Sequence, residues 1–190
     1  MSQLIEFSTN RLRLRQWCEA DRELFAHLNA DARVMEFFPN LLDRAASDAM
    51  VTRLQAQIAD RGWGWWAVEI ESTQEFIGTV GLQDIPAPKL PFAPCVEVAW
   101  RLAFDYWGKG YATEAAQGAL GVGFERLDLD EIVSFTAVCN LRSRAVMKRL
   151  KMNMAPETFL HPSLPPQHPL AEHCLYRLSR EAWAENVNQI

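Results

Sequence analysis

Two glycines stand where a predicted strand gives way to a predicted helix. The segment WGKGY at 107–111 follows a strand pattern at 95–102 and leads into a helix pattern at 110–127. Glycine exposes its backbone N–H groups and lets a ligand approach them closely. The unpaired N–H groups and the dipole of a helix's first turn attract anions. The segment therefore predicts a site for a pyrophosphate, and a simple turn at Gly108 and Gly110 is the open alternative.

Glu97 is the first candidate for proton transfer. Strand alternation places it on one face of 95–102, together with Cys95 and Ala99. Burial among apolar neighbours raises the pKa of a carboxyl group toward the range that suits a general base. We therefore predict that Glu97 accepts a proton, through a water molecule. An ion pair with an arginine such as Arg101, or simple exposure, are the open alternatives.

Asn140 and Ser143 form a second candidate group. They open a predicted helix at 141–152 directly after a strand at 131–138, and ligands of α/β sheets collect at such strand ends. Asparagine is also a favoured N-cap, so helix capping is the competing interpretation, and it is compatible with binding. A serine hydroxyl would relay a proton rather than store one, and Tyr176 is a second candidate donor.

The elements that position these residues follow from hydrophobic spacing. Leu24, Phe25 and Leu28 are predicted to face inward from the first helix, and Gly62 ends the second. The strand–helix–strand unit at 95–138 predicts two parallel strands joined by a right-handed crossover. The predicted strands are 11–16, 65–70, 75–85, 95–102, 131–138 and 174–179, and the predicted helices are 19–30, 43–61, 110–127, 141–152 and a short one at the end. A proline-punctuated connection at 153–172 leaves one more strand open.

Three glycines inside the predicted helix at 110–127 indicate close packing. Gly118, Gly121 and Gly123 each cost about 1 kcal/mol of helix stability relative to alanine. A helix that gives up this stability for small side chains is expected to lie very close to a sheet.

Length and composition exclude several classes of protein. The chain has 190 residues, which corresponds to one domain over 1–190. Its net charge of −5 argues against general nucleic-acid binding. No apolar run reaches the roughly 20 residues that span a bilayer, and the first residues lack a signal-peptide core. We therefore expect a cytoplasmic protein with neither a membrane nor a nucleic-acid partner.

Neither the cysteines nor the histidines predict a metal site. The four cysteines contain no C-x-x-C pair. His161, His168 and His173 lie in a proline-rich stretch at spacings that match no standard metal site. We therefore expect no metal and no disulfide framework.

Five segments of the chain together resemble one known family. They are TNRLRLRQW at 9–17, EVAWRL at 97–102, YWGKGYATEAA at 106–116, NLRSRAVMKRLKM at 140–152 and HPLAEHCLYRLSREAW at 168–183. In this order and spacing the sequence resembles the GNAT acetyltransferases, within the branch of ribosomal-protein N-terminal acetyltransferase-like enzymes. The resemblance implies the mixed α/β GNAT fold. That fold has a largely antiparallel sheet of about six to seven strands, flanked by helices, with a parallel pair splayed at the cofactor site.

The resemblance implies an acetyl-coenzyme A site. In the family, a loop of the form Q/R-x-x-G-x-G/A wraps the pyrophosphate with backbone amides, and here Trp107 replaces the first residue. Lys151 stands where the family usually has a glycine at a helix end. The cofactor-binding residues implied in this way are Trp100, Arg101, Leu102, Trp107, Gly108, Lys109, Gly110, Tyr111, Ala112, Thr113, Asn140, Ser143 and Arg149.

The resemblance also implies N-acetyl transfer to a primary amine, either a protein N-terminal α-amine or a small amine. The amine attacks the acetyl group directly, through a tetrahedral intermediate. Glu97, Asn140 and Ser143 are the implied catalytic residues, with Glu97 as base and Ser143 as proton donor to the departing thiolate. The alternative is a non-catalytic module of the same fold that binds or senses acyl-coenzyme A. Family behaviour implies a homodimer.

A cluster of aromatic residues leaves the acceptor site open. Trp63, Trp65, Trp66, Phe37 and Phe38 either line an acceptor pocket or belong to the core and its strands. Aromatic side chains bury a large apolar area, which favours the second interpretation.

Overall fold

The computed structural model describes residues 3–187 and contains eight strands and five α-helices in that range. The strands are β1 (Phe7–Ser8), β2 (Leu12–Arg15), β3 (Trp65–Ile70), β4 (Phe76–Ile85), β5 (Cys95–Leu102), β6 (Glu131–Ala137), β7 (Asn153–Leu160) and β8 (Glu172–Ser179). The helices are α1 (Asp21–Ala30), α2 (Arg44–Arg61), α3 (Tyr111–Gly121), α4 (Leu141–Arg149) and α5 (Arg180–Val187).

The strands form one mixed sheet in the order β1-β2-β3-β4-β5-β6-β8-β7. The predicted parallel pair is confirmed, because Glu97 of β5 pairs in parallel with Val133 of β6. The pairs β1–β2, β2–β3, β3–β4, β6–β8 and β7–β8 are antiparallel. Within the described range the chain divides into two compact units, one of residues 3–82 and 99–118 and the other of 83–98 and 119–187.

The sequence prediction was incomplete at the sheet's two edge strands. The sheet has eight strands rather than the predicted six to seven. It includes β1, which the sequence analysis did not predict, and β7, which lies in the connection at 153–172 where a strand had been left open. β1 has two residues, too few to show an alternating pattern. β7 exposes most of its side chains, and an edge strand of this kind has no clean hydrophobic period.

Two helices differ from their predictions in detail. Phe25 and Leu28 are buried as expected, but Leu24 is 49% exposed, so its predicted inward position is wrong. The long helix predicted over 110–127 is α3 up to Gly121, followed by a π-helical turn over Val122–Arg126. A wider turn of this kind changes the backbone hydrogen bonding without changing the hydrophobic pattern.

The C-terminal end of α2 is fixed by Gly62, as the sequence predicted, and its start by Asp43, whose capping role the sequence analysis did not identify. The Asp43 side chain accepts a hydrogen bond from the Ala46 N–H at 2.8 Å, which caps the first turn. Gly62 ends the helix in the left-handed conformation with φ +86°, and its N–H donates to the Ile58 carbonyl.

The close packing predicted for α3 is present in the first unit. Ala115 and Ala116 are fully buried. A Cβ added at Gly118 would lie 2.6 Å from Cε2 of Phe7, so no larger residue fits there without a shift of the Phe7 ring.

The core of the second unit lies around β6 and β8. Ile132 and Leu178 face one another across these strands and are fully buried. Among the helices in residues 3–187, none combines the length and the apolar character needed to cross a bilayer.

Candidate active site

The glycine loop enters α3 with two residues in the left-handed region. Gly108 has φ +73° and Gly110 has φ +83°, conformations that other L-residues adopt at a cost. The N–H of Glu114 donates to the Gly110 carbonyl at 3.0 Å, which is the first hydrogen bond of the helix. The amides of Tyr111 and Ala112 therefore belong to a first turn whose N–H groups have no carbonyl partner within the helix. Both glycines are exposed, so this group of donors can meet an anion.

Arg11, directly before β2, anchors this loop, a role that the sequence analysis missed. Its Nη1 donates to the Lys109 carbonyl at 3.1 Å, and its Nε donates to Oε2 of Glu114 at 2.7 Å. Thr9 Oγ1 and the Arg11 backbone N–H both donate to Oε1 of Glu114, at 2.6 Å and 2.8 Å. Partial burial opposes ionisation of Glu114, but these hydrogen bonds from Thr9 and Arg11 outweigh it and lower the pKa of the carboxyl group.

The side chains of the loop pack on neighbouring rings. Trp107, which replaces Gln or Arg of the family pattern, donates from Nε1 to the Leu102 carbonyl at 2.8 Å. The ammonium of Lys109 lies 5.3 Å from the centre of the Tyr106 ring, and Lys109 is exposed. Because Trp107 Nε1 donates to a backbone carbonyl of the protein, the backbone amides of the loop are the candidate donors to a bound anion.

The last residues of β5 differ strongly in their surroundings. Trp100 is half-buried, and Leu102 is buried with 4% exposure. Arg101 is only 7% exposed, and its Nη1 donates to Oδ1 of Asn29 at 2.6 Å. The roles of Trp100, Arg101 and Leu102 in cofactor binding stay predictions.

Glu97 is buried in the second unit and has no charged partner there. Its exposure is 8%, and within residues 3–187 its carboxyl group forms no hydrogen bond or ion pair. Burial raises its pKa from 4.5 to about 8. Simple exposure is therefore excluded, and the guanidinium of Arg101 is directed at Asn29 and Phe38. A carboxyl group with this pKa can change its protonation state near neutral pH, as a general base requires.

Asn140 caps α4, which confirms the capping interpretation. Its Oδ1 accepts from the Ser143 N–H at 3.1 Å, and its Nδ2 donates to Oγ1 of Thr136 at 2.9 Å and to Oγ of Ser143 at 3.1 Å. The structure thus brings Asn140 and Ser143 together at the end of β6, as predicted. Since the Ser143 oxygen accepts from Asn140, its own proton is free to be donated elsewhere. Thr136, which the sequence analysis missed, fixes the amide orientation.

Tyr176 of β8 is the second proton-donor candidate. The residue is 1% exposed, and its hydroxyl group forms no well-oriented hydrogen bond among the described residues, but it lies beside the Arg144 guanidinium and raises the pKa of that group. It pairs with Ser134 of β6 in the antiparallel register. A buried hydroxyl without a well-oriented hydrogen bond is costly, so this atom is a second candidate for contact with a bound molecule.

The C-terminal end of α4 carries the remaining predicted groups. Arg149 is exposed in the last turn, and its contact with cofactor phosphates stays a prediction. Lys151 has φ +60°, the left-handed conformation that the family's glycine would supply there. The local geometry of this helix end is therefore retained with a lysine.

The aromatic cluster proposed for the acceptor divides between core and partly exposed positions. Trp66 is fully buried, and its Nε1 donates to the Ile5 carbonyl at 2.7 Å, so the core interpretation is confirmed for it. Phe38 is half-buried and lies under the guanidinium of Arg101, 4.1 Å from it. Trp63 and Trp65 are half-buried as well.

The histidines pack on aromatic rings of the second unit. The rings of His161 and His173 are 4.9 Å apart, and Phe135 and Phe159 lie beside His173. Burial lowers the pKa of both histidines. In residues 3–187 no group of three or more His, Cys, Asp or Glu side chains is arranged to hold a metal ion.

Comparison with known proteins gives consistent matches. Residues 11–153 match the family model described as the acetyltransferase (GNAT) domain. FsC-acetyl coenzyme A-N(2)-transacetylase of Aspergillus fumigatus is 28% identical over 181 residues, which cover 92% of this chain and 76% of the relative. An acetyltransferase of the GNAT family from Bacillus anthracis superimposes with a TM-score of 0.77 at 21% identity, covering 93% of this chain and 99% of the other.

A second solved structure carries a coenzyme A molecule. RimL, a ribosomal L7/L12 alpha-N-protein acetyltransferase in complex with coenzyme A, superimposes with a TM-score of 0.73 at 15% identity, covering 94% of this chain and 99% of the other. The likeness at this identity shows a shared fold. Together with the family model over 11–153, the predicted motifs and the mixed sheet, it shows that the chain is an enzyme of the GNAT acetyltransferase family.

Proposed function

We propose that this enzyme moves an acetyl group from acetyl-coenzyme A to a primary amine, either a protein N-terminal α-amine or a small amine. The observation that carries the proposal is the pair of left-handed glycines, Gly108 and Gly110, at the start of α3. Their exposed backbone fits a pyrophosphate, because amides rather than side chains supply the contacts. The name of the Aspergillus fumigatus relative, with acetyl coenzyme A and an N(2) position, supports the same donor and an amine acceptor.

Each group of residues has one task in this proposal. The amides of 108–113 hold the pyrophosphate, with Trp107 and Lys109 beside them, and the strand segment 100–102 holds the pantetheine arm. Asn140 contacts that arm, and Arg149 meets the nucleotide phosphates. Acetyl-coenzyme A supplies the activated acetyl group.

Two groups of this chain move protons. Glu97 takes a proton from the attacking amine through a water molecule, because a protonated amine has no lone pair for attack. Its burial and its raised pKa support this task. Ser143 relays a proton: its hydroxyl proton passes to the departing thiolate, and its oxygen regains a proton from solvent, because a serine hydroxyl has a pKa far above neutral pH and does not stay deprotonated.

Calorimetry with acetyl-coenzyme A tests the loop directly. The wild-type protein is expected to bind saturably, and Gly110→Trp to abolish binding, because a side chain at a left-handed residue strains the loop and fills the cradle. Gln117→Trp introduces the same side chain at an exposed position of α3 and is expected to leave binding unchanged. Normal binding by Gly110→Trp would contradict the loop assignment.

Thiol release measured against a panel of amines and N-terminal peptides then tests the activity. At least one amine is expected to give acetyl-coenzyme A turnover above hydrolysis. Binding of acetyl-coenzyme A without turnover on any of these acceptors would contradict the proposed transfer to such amines.

A further inference from the structure

Arg101 is a buried cation without a counter-ion. It is 7% exposed, and within residues 3–187 it forms no salt bridge with a carboxylate. Burial lowers the pKa of its guanidinium to about 10, and no neighbouring acid offsets this effect. Buried charges in proteins are normally paired, because removing an ion from water costs several kcal/mol. The position of Arg101 therefore calls for a partner that the described chain does not provide.

Only one nitrogen of the Arg101 guanidinium forms hydrogen bonds with the described residues. Both of its hydrogen bonds come from Nη1, to Oδ1 of Asn29 at 2.6 Å and to Sδ of Met50 at 3.9 Å. Nε is buried and has no hydrogen-bond partner in the part of the chain that the structure describes. Nε and Nη2 form one edge of the planar fork, and this edge matches the two oxygens of a carboxylate.

The fork is held rigidly by three segments of the first unit. Asn29 lies in the last turn of α1, and its Nδ2 donates to Oγ of Ser47 in α2 at 2.9 Å, so its amide orientation is fixed. Phe38, in the connection between the two helices, lies 4.1 Å from the guanidinium. Asn29 and Ser47 are fully buried. Such pre-organisation lowers the entropy cost of binding a ligand.

An exposed arginine of the same unit provides the contrast. Arg33 also lies over a phenylalanine ring, with Phe104 at 3.9 Å, but its fork is occupied by Asp31, with Nη2 2.5 Å from Oδ2. An arginine can therefore lie over an aromatic ring and at the same time bind a carboxylate through its guanidinium. In Arg101 the ring contact is present, and none of the described carboxylates occupies its fork.

We propose that the Nε–Nη2 edge of Arg101 binds a carboxylate of the acetyl acceptor, so that the enzyme prefers amines that also carry a carboxylate. This inference rests on the proposed amine acetylation and names its substrate class. Arg101 lies four residues after Glu97 in β5, and strand alternation places both residues on the same face of the strand. It is a specificity-determining residue in this proposal, and the proton transfers are left to the groups described above.

The test compares amines that differ only in charge. The acceptors are glycine, β-alanine, 4-aminobutanoate and 6-aminohexanoate, each paired with its neutral carboxamide. The measured quantity is the ratio of kcat/KM for the acid to kcat/KM for its amide, in the wild type and in Arg101→Met. Comparing this ratio between proteins cancels the different amine pKa values of each pair. A charge-assisted bidentate contact is expected to make the ratio about 10- to 100-fold higher in the wild type for at least one pair.

Two variants control for structural effects. Arg33→Met removes the stacked surface arginine and is expected to leave the ratio at the wild-type value. Arg101→Lys keeps the charge but loses the fork, and is expected to retain part of the preference, which a merely structural role would not predict. An acid-to-amide ratio that is the same in the wild type and Arg101→Met for every pair would overturn the proposal.

A binding measurement separates this inference from the proposed function. Sodium acetate is expected to raise the thermal unfolding temperature of the wild type above that in sodium chloride of equal ionic strength, and to have no such effect on Arg101→Met. Equal shifts in both proteins would overturn the carboxylate site. Acetyl-coenzyme A turnover on neutral amines together with equal shifts would leave the acetyltransferase proposal standing and reject only the role of Arg101.

Discussion

Arg11 and Glu114 join the start of the chain to the first turn of α3. They are 103 residues apart in sequence, and the Arg11 backbone N–H and Nε donate to the two carboxylate oxygens of Glu114 at 2.8 Å and 2.7 Å. From this fixed position Arg11 Nη1 also donates to the Lys109 carbonyl. Glu114 places a negative charge in a turn that we propose binds a pyrophosphate, and Arg11 compensates for that charge.

Arg11→Ala is therefore expected to weaken acetyl-coenzyme A binding by about tenfold, because the loop loses its tether and Glu114 loses its counter-charge. Calorimetry gives the change in Kd. Arg13→Ala is the matched control, since Arg13 lies two residues further along the chain, in β2, is exposed and pairs with Glu6 at 3.4 Å. Adding Glu114→Gln to Arg11→Ala should recover part of the affinity. Equal Kd values for Arg11→Ala and Arg13→Ala would contradict the tether.

The two hydroxyl groups proposed as proton donors can be separated by mutation. Ser143→Ala keeps the N-cap, because Asn140 Oδ1 accepts from the backbone N–H, but removes the hydroxyl proton. We expect kcat to fall about tenfold or more with little change in the Kd of acetyl-coenzyme A. Tyr176→Phe removes a hydroxyl that forms no well-oriented hydrogen bond among residues 3–187 and whose neighbour is the Arg144 guanidinium, so protein stability should change little.

Pre-steady-state or steady-state rates of thiol release in both variants assign the donor. A large loss in Ser143→Ala with a wild-type rate in Tyr176→Phe agrees with the proposal. The opposite pattern would transfer the role to Tyr176.

Local signals in the sequence predicted the parts of the site that depend on neighbouring residues. The Gly108–Gly110 loop, the Asn140 cap and the parallel pairing of β5 follow from spacing and turn chemistry, and each is present. The family resemblance then gave these features a common function.

Long-range contacts could not be predicted in the same way. The partners of Glu114 lie more than 100 residues away, and two further arginines, Arg13 and Arg15, follow Arg11 at alternate positions with nothing in the sequence to distinguish the three. The burial of Arg101 depends on Asn29, Phe38 and Met50, which come from three different segments. The prediction that Leu24 faces inward was wrong, because a helical period does not say which of two adjacent apolar residues faces the core.

Lys151 carries backbone strain that a single substitution can relieve. Its φ of +60° places a β-carbon in the left-handed region, which costs roughly 1–2 kcal/mol for a residue other than glycine. We expect Lys151→Gly to raise the free energy of unfolding by about 1 kcal/mol, after the entropy that glycine loses on folding is included. Urea denaturation measures the change. Lys148→Gly, inside α4, is the control and should lower stability by up to about 1 kcal/mol. A lower free energy of unfolding in Lys151→Gly than in the wild type would contradict the proposed backbone strain at Lys151.

Burial of Glu97 makes protein stability depend on pH in a definite direction. The carboxyl group has a pKa of about 8 in the folded protein and an ordinary value of 4.5, so between these pH values the folded state holds the extra proton. Stability contributed by the protonated form is therefore complete below pH 4.5 and is lost as pH rises through 8. Glu97→Gln, which cannot ionise, should be more stable than the wild type, and most clearly at pH 9. Thermal unfolding of both proteins from pH 5 to pH 9 measures this difference.

The same pKa sets the pH dependence of catalysis. With a pKa of about 8, roughly a tenth of Glu97 is ionised at pH 7 and about nine-tenths at pH 9, so base-assisted turnover should rise with an inflection near pH 8. Glu97→Gln should lower kcat and lose this inflection, so the rate ratio of wild type to variant grows from pH 7 to pH 9. The amine acceptor contributes its own ionisation to both profiles, and the ratio cancels it. A ratio that stays constant over this range would remove Glu97 from the proton transfer, even if the stability measurement shows that the group is buried and titrates near pH 8.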